Sequence, residues 1–200
     1  MHRFDQAIAG IDAANSADPN RAQSGGETLP AELLYGRRMS EMLDRVYPGA
    51  SETVRIAARA QHIRRWEVPR SSYPMDRPGY LRWRKDLARK HAEWTGEILK
   101  TCGYDDAEIS RIGSLVRKEN FRRDDEAQAI EDVASLVFLA HYAAEFAAKH
   151  EPDKVVAILV KTLGKMSEHG KAAAMTLDLN GGVRNALNIA VAQTADASSA

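Results

Sequence analysis

Two hundred residues, 44% of them hydrophobic, are enough to bury a real core, and 28 basic against 28 acidic side chains leave no net charge to draw the chain toward nucleic acid or a membrane surface. A single cysteine, Cys102, excludes an internal disulfide and a cysteine-rich zinc site and fits a reducing compartment. No apolar leader run opens the sequence and no uninterrupted apolar stretch reaches membrane-spanning length, so a cytoplasmic protein with no membrane partner is expected.

Phe4, Ile8 and Ile11 predict an amphipathic helix over residues 3–14 that stops at Asn15-Ser16-Ala17-Asp18-Pro19-Asn20. The stretch through Gly25-Gly26 reads as loop. Pro30 suits a first helical turn, and Leu33, Leu34, Met39, Met42, Leu43 and Val46 carry a helix to Tyr47-Pro48-Gly49. Ser51 caps a helix predicted to reach Trp66, after which Pro69, Pro74 and Pro78 forbid a regular element. Helix resumes at Gly79 and stops at Cys102-Gly103. Asp105 or Asp106 caps a short helix bearing Ile109, Ile112, Leu115 and Val116, and Asp124 or Asp125 caps a long one from Glu126 to His150. Pro152 opens another that ends near Gly170, and Lys171–Leu177 forms a last piece broken by Asn180-Gly181-Gly182. No two-residue alternation is sustained. The expected fold is all-α, a single-domain multi-helix bundle over residues 1–178, with 179–200 as a partly disordered tail.

Charge is unevenly distributed. Between Arg55 and Lys90 stand nine Arg and two Lys against Glu67, Asp76 and Asp86; between Glu119 and Asp153 stand nine acids against three bases. The basic stretch also carries Trp66, Tyr73, Tyr80 and Trp83. On the helix predicted to reach Trp66, Arg55, Arg59, His62 and Trp66 share a face. Arginine presents a planar fork to phosphate or carboxylate, so Arg59, Arg65, Arg70, Arg77 and Arg84, with Gln61, Trp66, Tyr73 and Tyr80, are candidate contacts for an anionic ligand. Lys161 and Lys165, one helical turn apart, are candidates to add charge. The same side chains could instead be surface arginines and aromatics that pack the loop.

His91 lies on an apolar stripe with Leu87, Trp94, Thr95 and Ile98, and Glu131-Asp132 stand where the acidic helix turns apolar. Two histidines and one or two carboxylates from separate helices would suit a divalent metal of undetermined identity. Against that, no local ligand motif is present, and His91 as a core histidine with Glu131 or Asp132 paired to arginine explains the same residues. Lys165-Met166-Ser167 resembles the signature loop of class I aminoacyl-tRNA synthetases, but no α/β nucleotide-binding pattern accompanies it. Cys102 has no base partner in the pattern.

The strings Ala57-Ala58-Arg59-Ala60-Gln61-His62-Ile63-Arg64-Arg65-Trp66, Pro69-Arg70 and Tyr73-Pro74 resemble the core of a domain-of-unknown-function family of bacteria and fungi. Leu33-Leu34-Tyr35-Gly36, Gly79-Tyr80-Leu81-Arg82-Trp83-Arg84, Glu131-Asp132-Val133 and Lys165-Met166-Ser167 match it too, so that the resemblance runs from residue 3 to about 178. Some members of that family carry a glutamyl-tRNA synthetase title. The order His62, His91, Asp132 also resembles the HD superfamily of helical metal-dependent phosphohydrolases. That resemblance implies metal ligation by these three, with Glu131 as ligand or general base. Ala92 stands where those enzymes place the aspartate of the His-Asp pair, so either Glu93 or Glu131 substitutes or no metal binds. Two functions follow as expectations: a metal-dependent hydrolase of a phosphorylated small molecule or nucleotide, or a non-catalytic module that binds an anionic ligand or RNA through residues 59–84. Oligomeric state is left open.

Overall fold

The computed structural model describes residues 2–198, and the chain is all-α apart from one short hairpin. It forms two compact units, residues 1–130 and 131–200.

In the first unit α1 (Arg3–Ser16) leads into a hairpin of β1 (Arg21–Ser24) and β2 (Glu27–Pro30), then α2 (Ala31–Val46) and α3 (Glu52–Arg59). The hairpin replaces an expected loop. Ser24 pairs with Glu27 across Gly25-Gly26, whose φ values of 58° and 85° supply the two positive-φ residues of a tight two-residue hairpin turn. The strands are too short to show alternation in the sequence, but the Gly-Gly pair was a readable signal.

Helix α3 ends at Arg59, seven residues before the expected boundary. The Gln61 side chain donates to the Ala57 carbonyl at 3.2 Å and the Val116 carbonyl at 3.3 Å, while its own backbone N–H turns back to Ala58. Arg64 then takes a left-handed conformation, φ 52°, ahead of a 3-10 turn at Arg65–Glu67. His62 therefore sits in a turn, and the expected helical face of Arg55, Arg59, His62 and Trp66 does not form. A second 3-10 turn, Arg70–Ser72, precedes α4 (Arg77–Thr101), which Asp76 caps through the Gly79 N–H at 2.7 Å. Asp105 and Glu108 form a reciprocal capping box on α5 (Asp106–Val116). Helix α4 packs on α5 and α3 on α5, around the fully buried Ile11, Met39, Leu43, Ile56, Ile63, Leu99, Ile112 and Leu115.

Helix α6 (Asp125–His141) begins in the first unit and ends in the second, which continues with α7 (Ala143–Ala148), α8 (Pro152–Leu163), α9 (Glu168–Met175) and α10 (Gly181–Ser198). The expected single helix over 126–150 is interrupted at Tyr142 (φ −127°). Where a tail was expected from residue 179, α10 packs on α8 with Val183, Leu187 and Ala190 buried. Asn180, read as a breaker, starts this helix: its side chain accepts from the Val183 N–H at 2.9 Å. The part of that expectation falling on 199–200 lies outside the described residues. No helix among the described residues is long and apolar enough to cross a membrane.

Candidate functional site

The site is built from the start of α2 and the turn after α3. Asp18, 1% exposed, accepts from the Glu32 backbone N–H and from the Asn20 backbone and side chain, each at 2.9 Å, and so fixes where α2 begins. Glu32 Oε2 lies 3.0 Å from His62 Nδ1. One turn along α2, the Tyr35 ring stacks on the His62 ring at 3.7 Å and 9°. Burial pushes the Glu32 carboxyl up to about 7; the Arg65 charge opposes this and Asp18 adds a smaller push. Burial, with the cations Arg65, Lys118 and Arg84, holds His62 well below the usual histidine range.

His91, on α4, is 3% exposed. Its ring centroid lies 6.1 Å from that of His62, the planes tilted by 45°. Burial lowers its pKa most, helped by His62 and Arg65, while a hydrogen bond to the Gln61 backbone acts in the opposite direction. A backbone group that raises a histidine pKa is an accepting carbonyl, so Nδ1 carries the proton. Nε2 is then a bare lone pair, and it is buried without a hydrogen-bond partner.

Both imidazoles line a cleft of about 220 Å³ together with Tyr35, Gln61, Tyr80, Trp83, Leu87 and the cations Arg65, Arg84, Arg117 and Lys118. Among the described residues, no Asp or Glu lines it. Arg65 lies over the Trp83 ring at 5.3 Å, and Trp83 is fixed by donating to the Val68 carbonyl at 2.8 Å. Arg117 is partly neutralised by Glu119 at 2.7 Å. Lys118 closes α5 as the left-handed residue of a Schellman turn: φ is 54°, its N–H bonds the Leu115 carbonyl, and the Glu119 N–H bonds the Ser114 carbonyl. Glycine is the usual occupant of that position. Here the chain accepts a strained lysine and gains a cation at the cleft wall.

Of the residues singled out in the sequence, the structure brings Gln61, His62, Arg65, Tyr80, Arg84 and His91 to this cleft. Trp66 and Arg70 line a neighbouring hollow of about 500 Å³ that shares Arg65 and Trp83 with it. Arg59 turns elsewhere, bonding both oxygens of Asp12 at 2.7 and 2.6 Å. Arg70 donates to the carbonyls of Tyr73, Pro74 and Asp76 and holds the proline-rich loop in shape. The Tyr73 hydroxyl donates to Asp86 at 3.0 Å, and Arg77 is exposed in the first turn of α4. Glu131, Asp132, Lys161 and Lys165 belong to the second unit. There the buried Asp132 accepts from both the backbone N–H (2.9 Å) and the hydroxyl of Ser167, and Glu131 lies 3.6 Å from Lys165.

Glu32, Tyr35, Arg117 and Lys118 were not anticipated as site residues. Glu32 and Tyr35 share the i, i+3 spacing of one helix face, but nothing local says that this face meets His62 across 30 residues. Among the described residues, no group of three or more His, Cys, Asp or Glu side chains is arranged to hold a metal ion.

Fold and site together define an all-α protein with a cationic cleft floored by two neutral histidines. The chain belongs to the family described as Domain of unknown function (DUF4202), whose model matches residues 5–187. No curated protein and no solved structure matches it.

Proposed function

We propose that the first unit binds a small phosphorylated ligand in the cleft, and that Glu32 and His62 stand ready to move a proton at the bound group. The observation that carries this reading is a cleft wall of Arg65, Arg84, Arg117 and Lys118 without a carboxylate among the described lining residues. Guanidinium groups favour phosphate oxygens through charge-assisted, bidentate hydrogen bonds. A volume of about 220 Å³ suits a phosphoryl group and a short attached moiety better than a nucleic-acid strand. His62 Nδ1 faces both the Glu32 carboxyl at 3.0 Å and the Arg65 guanidinium at 3.4 Å, a short path along which a proton can pass between the carboxyl and the imidazole.

The metal-dependent hydrolase expected from His62, His91 and Asp132 is the weaker reading. The two imidazoles lie near each other, but the cations beside them oppose a divalent ion, and Asp132 has its own partner in Ser167.

Calorimetric titration with inorganic phosphate and with a sugar phosphate, in the presence of chelator, tests the proposal. Binding that weakens with salt and drops about 10-fold in Arg84→Ala is expected; Arg84 is exposed, so its loss leaves the core intact. Binding that appears only when a divalent ion is added would return the metal-dependent reading. Tight binding of an RNA oligonucleotide without binding of phosphate would favour the RNA module.

A further inference from the structure

We infer that His91 makes the cleft selective for an oxyanion that still carries a proton, so that its ligand is hydrogen phosphate or the monoanion of a phosphomonoester and not sulfate or a fully deprotonated anion of similar shape. The inference rests on the anion-site reading above and specifies the ligand chemistry at that same site.

The cations alone do not discriminate. Arg65, Arg84, Arg117 and Lys118 offer only N–H donors, and any compact dianion satisfies donors. His91 is the exception in kind. Its Nδ1 proton is committed to the Gln61 carbonyl, which leaves Nε2 as an acceptor, 3% exposed on the residue scale and without a partner. A buried acceptor left unpaired is costly, and a ligand that brings a donor to it recovers that cost. Hydrogen phosphate has one P–OH to give, whereas sulfate at neutral pH has none and turns an oxygen lone pair toward the Nε2 lone pair. Two features keep Nε2 in this state. Burial above all, with His62 and Arg65 beside it, disfavours a second proton on the ring, and the Gln61 backbone is itself fixed by the side-chain bonds from Gln61 to Ala57 and Val116. His91 lines the cleft, so a buried, unpaired acceptor borders the cationic donors of its wall, a combination that complements a singly protonated phosphate.

The test uses the full chain on the alkaline side of neutral pH, where phosphate is chiefly hydrogen phosphate and matches sulfate in charge and nearly in size. Wild type should bind phosphate about 10-fold or more tightly than sulfate, the discrimination expected when a buried acceptor is satisfied by one ligand and opposed by the other. His91→Phe should erase the discrimination, with phosphate affinity falling and sulfate affinity rising until the two meet. Ring-nitrogen NMR of wild type supplies a reading that does not depend on the variant folding: the His91 Nε2 resonance should shift with phosphate and stay in place with sulfate. Equal affinities for the two anions, or an Nε2 resonance that ignores phosphate, would overturn the selectivity while leaving the anion site standing. Failure of both anions to bind would overturn the anion-site reading itself, and this inference with it.

Discussion

Nδ1 of His62 lies 3.0 Å from Oε2 of Glu32, with the imidazole stacked face to face on Tyr35. The pair joins a carboxyl group raised to about 7 to an imidazole held below its usual range. Folded Glu32 thus grips a proton that the unfolded chain releases near 4.5. Between those two values the folded state binds more protons than the unfolded state, and its stability falls as pH rises. Glu32→Gln, which keeps the shape and cannot ionise, should remove that slope. Urea midpoints measured from pH 4.5 to 7.5 should show the variant gaining on wild type toward higher pH. Parallel curves would mean that Glu32 titrates as it does in the unfolded chain.

His91 works in the opposite sense. Its folded pKa lies well below 6.5, the unfolded value, so acidification protonates the unfolded chain first. Stability contributed by keeping this ring neutral is present above pH 6.5 and lost as pH falls below it, by at most about 1.4 kcal/mol per pH unit. His62 adds a slope of the same sign. His91→Phe should flatten part of the acid limb, measurable as a smaller drop in melting temperature between pH 7 and 5. A limb as steep as that of wild type would place the acid sensitivity elsewhere.

Arg59 was a candidate ligand contact in the sequence and is a structural residue in the fold. Its guanidinium, 11% exposed, grips both oxygens of Asp12, which is 26% exposed, and also donates to the Ser40 hydroxyl at 3.2 Å. Removing one partner strands the other in a partly desolvated setting, so Arg59→Ala should cost about 2 kcal/mol of stability. Phosphate affinity should be unchanged below the melting transition. A stable variant that had lost phosphate binding would return Arg59 to the site.

What was legible in the sequence followed from short-range rules. Gly103 as a stop and Asp105 as a cap placed the end of α4 and the start of α5 nearly to the residue, and the apolar periodicity of α2 gave its core, whereas the helix opened by Pro152 ends at Leu163 and not near Gly170. The density of arginine and aromatic residues after Arg55 pointed to the cleft. Long-range events were not legible. The end of α3 depends on the Gln61 amide reaching Val116 as well as Ala57, and the orientation of His62 depends on Glu32, 30 residues earlier. Single-sequence periodicity contains neither distance. Asn180 misled for a different reason: a residue that stops one helix is also the residue that starts the next.

Asp132, expected as a metal ligand, organises the second unit. Fully buried, it accepts from the Ser167 N–H and hydroxyl, and the same hydroxyl accepts from the Gly170 N–H at 3.0 Å to cap α9. A Cβ added at Gly170 would lie 2.5 Å from the Asp132 carboxyl carbon, closer than real contacts allow. Asp132→Ala and Gly170→Ala should each lose about 2–3 kcal/mol, the first by orphaning two donors and the second by overpacking a fixed carboxylate. Denaturant melts would check this. Loss of function in either variant at full stability would instead argue for a direct chemical role.

Lys118 offers the sharpest separation of stability from binding. It holds a left-handed conformation, φ 54°, in the Schellman turn that ends α5, where a side chain costs about 1 kcal/mol relative to glycine. Its side chain lines the cleft and is among the charges that keep His62 neutral. Lys118→Gly should therefore act in two directions at once. The turn relaxes and the melting temperature rises by a few degrees, while phosphate affinity falls several-fold and the salt dependence of binding becomes shallower by about one charge. Lys118→Met, which keeps the backbone strain and removes only the charge, should lose the same affinity without the gain in stability. If Lys118→Gly stabilises the protein and binds phosphate as wild type does, the lysine belongs to the turn and the anion is held by the arginines alone.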